Sequence, residues 1–282
     1  LIEGIHDNLV YGKKNGKVLF ENKTSSTKKG KAAEKKAPYG PEDFRLTDLI
    51  DLASSLQQKD LEFLEEVFTV NVELSEYGKN NIIPGSFTHI FKRTYPKMSI
   101  TQKIVFDTVA AIDARMAGVP LPVMSSCGSG DHGLTLSIPQ YSYYKYMKND
   151  KLRFLQGLAL ANLVTWKIKS AIGELSAFCG SIIASVTGAL VGTAYQKHFS
   201  DSKIRALINS CMASYALALC DGAKMSCTFK IAAALIQGTM IFETCYIGFS
   251  VKPKDGVVGE TPSQALKIFK AISEKHSKDI NH

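Results

Sequence analysis

The stretch 151–249 constrains the fold more than any other part of the sequence, because its pattern predicts one helix after another with only short breaks. Apolar residues occupy nearly every face of 203–219 and 230–249, and helices of that kind are typically buried on all sides. Residues 175–196 carry no charge. The sequence therefore predicts a helical core with some polar residues held inside it.

Residues 175–196 are also long enough to cross a bilayer, and Gly188-x-x-x-Gly192 has the spacing of close-packed membrane helices. Most of the segment is small or weakly polar, whereas a lipid-facing helix would be richer in Leu, Ile and Phe. We therefore expect a closely packed central helix and no membrane partner. Because no secretory signal is visible, we expect a cytoplasmic protein whose six cysteines are thiols or metal ligands.

The N-terminal part of the chain predicts a small β element. Apolar runs at 8–11 and 17–20 flank an Asn-Gly pair, the strongest short signal for a hairpin, so we expect residues 1–22 to form the β-hairpin element of a small α/β part. Residues 23–41 predict a flexible lysine-rich loop, and residues 42–282 a mainly helical core. The predicted fold class is therefore α+β and predominantly α-helical.

The net charge of +8 comes almost entirely from one segment, because residues 11–36 hold nine lysines and two glutamates. No large apolar residue interrupts 23–36, so this run cannot bury a face and predicts a solvated loop. No aromatic residue lies among these lysines to stack on bases. We therefore expect no nucleic-acid partner.

Local signals place three helices before the middle of the chain. Apolar spacing predicts one beginning near residue 46 and a second from about 61 to 78. A third begins at Ser99, which has capping-box spacing to Gln102, and Gly118 ends it.

Residues 124–133, with the sequence MSSCGSGDHG, form the first candidate site. Three glycines let the backbone approach a ligand closely, and the serines supply hydroxyl groups. If the loop opens a helix, the helix N-terminus adds partial positive charge, so the loop could hold a carboxylate or a phosphate. The adjacent His132 titrates near neutrality, which favours a functional loop over an ordinary turn.

Cys220 and Cys227 bracket the second candidate, the sequence CDGAKMSC, at a spacing unlike that of common zinc sites. The turn separates two apolar helical runs, and Cys179 lies in another. Three thiolates from different helices would suit iron–sulfur or zinc, whereas buried cysteines more commonly act as small hydrophobes. Spacing alone leaves both interpretations open. Cys211 and Cys245, within apolar runs, predict core positions.

Lys224 in the same turn allows a rival chemistry. A lysine there could form a Schiff base with pyridoxal phosphate, and the serine-rich loop could take the phosphate. The pattern lacks the alternating strands and helices common in folds that hold this cofactor, which is an argument by analogy. A pyridoxal-phosphate lyase that uses Lys224 is one alternative, and a non-catalytic structural fragment is another.

Taken together, these motifs resemble those of the L-cysteine desulfidase family, which is related to the α chain of the iron–sulfur L-serine dehydratases. The likeness covers essentially the whole chain. The segments that carry it are 6–8 (HDN), 113–116 (DARM), 121–133 (LPVMSSCGSGDHG), 175–180 (LSAFCG), 220–227 (CDGAKMSC) and 255–259 (DGVVG).

The resemblance implies a serine-dehydratase-alpha-like helical core over 42–282 and a [4Fe–4S] cluster held by three cysteines. The implied ligands are Cys179, Cys220 and Cys227. Three protein ligands leave one iron open to act as a Lewis acid. The implied reaction is β-elimination from a small L-amino acid, which converts L-cysteine to hydrogen sulfide, pyruvate and ammonia, or L-serine to pyruvate and ammonia.

Within this hypothesis the serine-rich loop holds the carboxylate of the substrate, and His132 is the catalytic residue that binds or protonates it. The expected substrate-binding residues are Ser125, Ser126, Ser129, Gly130, His6 and Asn8. The expected binding partner is a small amino acid, and the sequence leaves a homo-oligomer open.

Three features depart from the family pattern. Cys127 stands where relatives have Ala, and Asp131 where they have Asn, which adds a thiol and a carboxylate beside the loop. The family's N-terminal Cys-Thr-Glu-Pro motif, whose cysteine serves as the base, has no match in this sequence. We therefore expect that the chain lacks an N-terminal segment and holds a cluster site without a complete active site.

Overall fold

The computed structural model describes residues 11–14, 17–21, 45–173, 176–216 and 218–276. Its strands are β1 (Tyr11–Lys14) and β2 (Lys17–Glu21). Its helices are α1 (Leu46–Ser55), α2 (Gln58–Leu61), α3 (Phe63–Asn80), α4 (Phe87–Thr94), α5 (Ile100–Met116), α6 (Gly130–Met147), α7 (Lys151–Ile172), α8 (Thr187–Gln196), α9 (Asp201–Tyr215), α10 (Ser226–Tyr246) and α11 (Pro262–His276). A π-helical segment, Ser181–Val186, runs directly into α8. The predicted predominantly α-helical fold with a small β element is confirmed.

The two strands form the predicted antiparallel hairpin, in which Tyr11 pairs with Glu21 and Lys14 with Lys17. A register shift between Gly12 and Lys13 interrupts the ladder. The lysine-rich segment 23–41 lies outside the described residues, as do 1–10. The proposed division of the chain at 22 and 41 therefore stays a prediction.

The local helix signals are confirmed where they were strongest. Ser99 is the N-cap of α5: its hydroxyl accepts a hydrogen bond from the Gln102 amide, and the Ser99 amide donates one to Gln102 Oε1. After the helix the chain turns at Gly118, whose φ of +75° suits glycine because a Cβ disfavours that region. Capping and turn chemistry are short-range, so the sequence alone determined both ends of this helix.

A close crossing of α7 and α8 forms the centre of the core. A Cβ built at Gly157 of α7 would stand only 2.7 Å from the carbonyl oxygen of Gly192 in α8, so the two backbones touch where side chains would otherwise separate them. The prediction of a closely packed central helix is confirmed. No helix in the described part of the chain combines the length and the apolar character needed to span a membrane.

Helix α10 corrects one expectation, because it is not buried on all sides. Ile231 and Leu235 are buried, but Met240 is 68% exposed and Phe229 is 63% exposed. A sequence that is apolar all round predicts burial only if other elements cover every face, and none of the described elements covers the outer face of α10.

Candidate active site

A short antiparallel bridge brings two of the three candidate ligands together across 41 positions of sequence. The Cys179 amide donates to the Ala218 carbonyl at 2.8 Å, and the Cys220 amide donates to the Ala177 carbonyl at 2.9 Å. These two bonds connect the segment before the π-helical segment to the segment after α9. Periodicity could not predict this contact, because it joins two irregular segments.

The third cysteine returns to the same place through a tight turn. Gly222, with a φ of +87°, reverses the chain after Cys220. Cys227 then lies in the first turn of α10, where its amide donates to the Lys224 carbonyl at 2.8 Å. The seven-residue spacing of the motif thus corresponds to a turn followed by the beginning of a helix.

The thiols of Cys179, Cys220 and Cys227 line one cavity of about 250 Å³. The π-helical segment borders it, and π-helical turns are often found at functional sites. The remaining lining residues are Arg115, Ser129, Asp131, His132, Ser176, Gly180, Ser181, Leu219, Asp221, Gly222, Ala223, Lys230 and Ile231.

Burial controls the protonation of these thiols. Burial is the main cause that raises the pKa of Cys179 to about 11, and the neighbouring Cys220 and Cys227 contribute to this rise. Burial also raises the pKa of Cys227. Both groups therefore hold their protons at neutral pH unless a cation replaces them, and a thiol that coordinates a metal is deprotonated.

The cavity is lined by three cysteines, and cysteine thiolates are the usual ligands of iron–sulfur clusters. Among the residues that the structure describes, no three His, Cys, Asp or Glu side chains are grouped closely enough to hold one metal ion. A [4Fe–4S] cluster bonds each thiolate to a different iron, so its ligands stand farther apart than the ligands of one ion. The three thiols that share the cavity are the residues that could hold such a cluster.

His132 lies in the first turn of α6 with its ring held in one orientation. Its Nδ1 is 3.2 Å from the Ser126 carbonyl oxygen, which can only accept, so Nδ1 carries the proton and the lone pair of the neutral ring is on Nε2. Nε2 faces Gly180: a Cβ built there would stand 2.5 Å from it. The ring is therefore positioned for proton transfer on the side of the cysteine cavity.

The serine-rich loop does open a helix, as expected, but the structure divides its serines between two cavities. Residues 126–129 form a tight turn, with φ of 47° at Cys127 and 76° at Gly128. Ser129 lines the cysteine cavity. Ser125 and Ser126 instead line a second, more apolar cavity with Cys127. Ser129 is thus separated from Ser125 and Ser126, and the expectation that all three serines hold one carboxylate stays a prediction.

Two cationic side chains that line the cysteine cavity were not predicted from the sequence. Arg115, in the last turn of α5, has its Nε 2.8 Å from Asp131 Oδ1. Lys230 has its Nζ 2.5 Å from Asp221. The charged residues of the DARM segment could have marked Arg115 as a candidate site residue. The sequence does not show, however, that its side chain lines the cysteine cavity.

The other candidates fall elsewhere. The Lys224 ammonium is bonded to the Asp221 carboxylate and to its carbonyl oxygen at 3.0 Å, and Lys224 is not among the residues that line the cavity. Cys211 and Cys245 are buried, which confirms the core positions predicted for them. His6 and Asn8 lie outside the described residues.

Residues 17–282 match the family profile described as serine dehydratase alpha chain. The chain belongs to that family. The match covers the helical core and all three cysteines of the cavity, so it confirms at the level of the family the resemblance that the motifs indicated. It names no substrate for this chain.

The chain is also similar to several UPF0597 proteins. It is 34% identical over 278 residues to one from Clostridioides difficile, which covers 96% of this chain and 64% of the relative. It is 32% identical over 283 residues to one from Desulfatibacillum aliphaticivorans, with 97% and 64% covered. The chain thus spans less than two thirds of the length of these curated relatives. No solved structure matches it significantly.

Proposed function

We propose that this chain carries the cluster-binding part of an iron–sulfur-dependent lyase, which converts L-cysteine to hydrogen sulfide, pyruvate and ammonia. The observation that carries the proposal is the convergence of Cys179, Cys220 and Cys227 on one cavity that His132 also lines. A cubane cluster held by three protein ligands would have one iron without a protein ligand. That iron would supply a Lewis acid for the leaving sulfur atom.

The reaction balances without an oxidant. A base removes the α-proton, the Cβ–S bond breaks with its electron pair leaving on sulfur, and aminoacrylate forms. After tautomerisation to the imine, one water molecule releases ammonia and pyruvate. L-cysteine and water thus give hydrogen sulfide, pyruvate and ammonia, and the chemistry requires one base and one acid.

His132 is the protein group in the cavity best placed to move a proton. Its Nδ1 is engaged by the Ser126 carbonyl, which fixes the tautomer that presents Nε2 towards Gly180. Because a fixed orientation saves the entropy of positioning the ring, this bond would favour transfer to the departing sulfur atom. Donation from Nε2 requires the imidazolium form, in which both ring nitrogens carry protons, and in that form we assign His132 to protonation of the leaving group.

The family match supports L-serine as the second candidate substrate, because the family is named for serine dehydratase. L-serine presents the same carboxylate and amine, and only the leaving atom differs. The pyridoxal-phosphate alternative has less support, since the Lys224 ammonium is engaged by Asp221 and does not line the cavity.

Anaerobic reconstitution with iron and sulfide tests the cluster. The parent should turn brown, with broad absorption near ~400 nm from thiolate-ligated iron. Cys220→Ser should lose most of the bound iron, whereas Cys127→Ser is the matched control, because that thiol lines the other cavity. Equal iron and sulfide content in Cys220→Ser and the parent would refute the ligand assignment.

The reaction itself is tested with the full-length gene product after reconstitution. Pyruvate and sulfide should form from L-cysteine, or pyruvate alone from L-serine. The ratio of the two kcat/KM values identifies the preferred substrate. If the reconstituted protein forms pyruvate from neither amino acid, the proposed lyase activity is wrong even though the cluster site stands.

A further inference from the structure

Arg115 is a cation in the cysteine cavity to which no role has been assigned. It lies at the C-terminal end of α5, and its side chain is 37% exposed into the cavity that the three thiols and His132 also line. When the three cysteines bind a metal group as thiolates, their negative charge would repel an anion. A substrate that carries a carboxylate therefore needs a positive group on the protein to enter it.

The partner of Arg115 satisfies only part of the guanidinium. The Asp131 side chain is 13% exposed, and its Oδ1 stands 2.8 Å from Nε in an ion pair. Nη1 and Nη2 are the remaining donors of the guanidinium, and both lie close to the position that a Gly130 Cβ would occupy. A guanidinium held at one side presents its other donors as a fork that matches the two oxygens of a carboxylate.

Gly130 makes room for that fork at the beginning of α6. A Cβ built there would stand 2.5 Å from Arg115 Nη1 and 3.1 Å from Nη2, so any other residue would displace the guanidinium. The N-terminus of α6 adds partial positive charge at the same point, and Ser129 lines the cavity beside it. Backbone, hydroxyl and guanidinium donors thus meet at one end of the cavity.

The second cation in the cavity is less suited to a carboxylate. Lys230 is paired with Asp221 at 2.5 Å. Asp221 also binds Lys224, and these two lysines lower the pKa of Asp221 to about 2. A single ammonium group also lacks the planar pair of donors with which a guanidinium binds both oxygens of a carboxylate.

We propose that Arg115, which Asp131 holds against Gly130, binds the α-carboxylate of the substrate. Asp131 in turn restricts the site to amino acids with a single carboxylate. This inference rests on the proposed function for the identity of the substrate as an amino acid. A second carboxylate on the substrate would approach the buried Asp131 charge, and like charges at short range are unfavourable.

Two probes that do not require turnover test the proposal on the protein as isolated. 3-Mercaptopropionate carries the thiol and the carboxylate, and cysteamine carries the thiol and the amine; both are titrated by calorimetry. Arg115→Gln should weaken 3-mercaptopropionate binding roughly 10- to 100-fold, since a charge-assisted pair of hydrogen bonds is lost, and leave cysteamine unchanged. Arg93→Gln, an exposed arginine of α4, is the matched control.

Gly130→Ala provides a second variant, because it keeps the charge and displaces the guanidinium, so it should weaken the same probe selectively. The thermal midpoints of all variants establish that they are folded. The proposal is overturned if Arg115→Gln binds 3-mercaptopropionate within about 2-fold of the parent, if both probes weaken equally, or if the parent does not prefer the carboxylate.

The same data separate this inference from the proposed function. A selective loss of 3-mercaptopropionate binding in a protein that makes no pyruvate would keep the carboxylate site and refute the lyase. Turnover of L-cysteine by Arg115→Gln with an unchanged KM would refute the role of Arg115 and keep the lyase. L-aspartate should neither bind nor inhibit, and its binding as tightly as L-serine would refute the role of Asp131.

Discussion

Replacement of Gly180 by alanine tests whether the position of His132 matters to the site. Gly180 has φ −61° and ψ −34°, so its backbone accepts a Cβ without strain. The new methyl group, however, would stand 2.5 Å from His132 Nε2, 2.9 Å from its Cε1 and 3.1 Å from Lys169 Cδ. The perturbation is therefore confined to side chains, and the imidazole receives most of it.

The magnitude follows from these distances. Carbon atoms in contact stand about 3.5–4.0 Å apart, so the ring must move by roughly 1 Å. Its bond to the Ser126 carbonyl is already 3.2 Å long and would be lost in that shift. Insertion of a methyl group into a packed site costs about 1–3 kcal/mol, and a 1 Å displacement of a catalytic group lowers kcat about 100-fold.

Three measurements check this prediction. Urea denaturation gives the free energy of unfolding, and turnover by the reconstituted full-length protein gives kcat. Nitrogen NMR of the imidazole reports the tautomer of His132. We expect all three to change while the iron content does not. Gly85→Ala is the control: its φ is +73° with no atom within 4 Å of the built Cβ, so it should cost stability and leave kcat unchanged. If Gly180→Ala keeps the parent's kcat and tautomer, the role given to His132 is wrong.

Three other predictions concern the helical part of the chain. Asp107 accepts hydrogen bonds from Lys79 at 3.0 Å and from Tyr146 at 2.8 Å, and Lys79 also pairs with Glu76 at 2.7 Å. Asp107→Asn should therefore lower the free energy of unfolding in urea by about 1–3 kcal/mol, and an unchanged free energy of unfolding would refute this. Burial and the bond to Asp107 raise the pKa of Tyr146 in the folded state, so the stability it contributes is complete below its ordinary value of 10.0 and is lost as pH rises above it. The urea midpoint of the parent should therefore fall above about pH 10, and that of Asp107→Asn should fall less. Gly157→Ala should lower the thermal midpoint, because its Cβ would stand 2.7 Å from the Gly192 carbonyl oxygen and overpacking costs about 1–3 kcal/mol. An unchanged thermal midpoint would show that the crossing of α7 and α8 can relax.

The helices could largely be predicted from sequence, whereas the assignment of three cysteines as cluster ligands stays a prediction. Ser99 and Gln102 defined the beginning of α5 because a capping box involves only four consecutive residues. The ligand hypothesis for Cys179, Cys220 and Cys227 depended on motif resemblance, since their spacing alone left metal binding and simple burial both open. The structure adds that the three thiols line one cavity.

The outer face of α10 and the division of the serine-rich loop could not be predicted in the same way. Met240 has the same hydrophobicity whether or not another element covers it. Ser126 and Ser129 are three positions apart and donate to each other's carbonyl groups across a tight turn, yet they line different cavities. The residues at the two ends of this turn line different cavities, and the amino-acid composition of the turn does not predict which cavity each of them lines.

By itself, the sequence determined a predominantly helical chain with a hairpin at its beginning, helix ends set by caps and glycines, and a central helix suited to close packing. These features depend on contacts within a few residues or on the size of single side chains. Only the tertiary structure decided which thiols share a cavity, that Arg115 rather than Ser125 or Ser126 lies beside them, and that Asp131 holds it. Such contacts join segments far apart in the chain, and their geometry depends on how the helices pack.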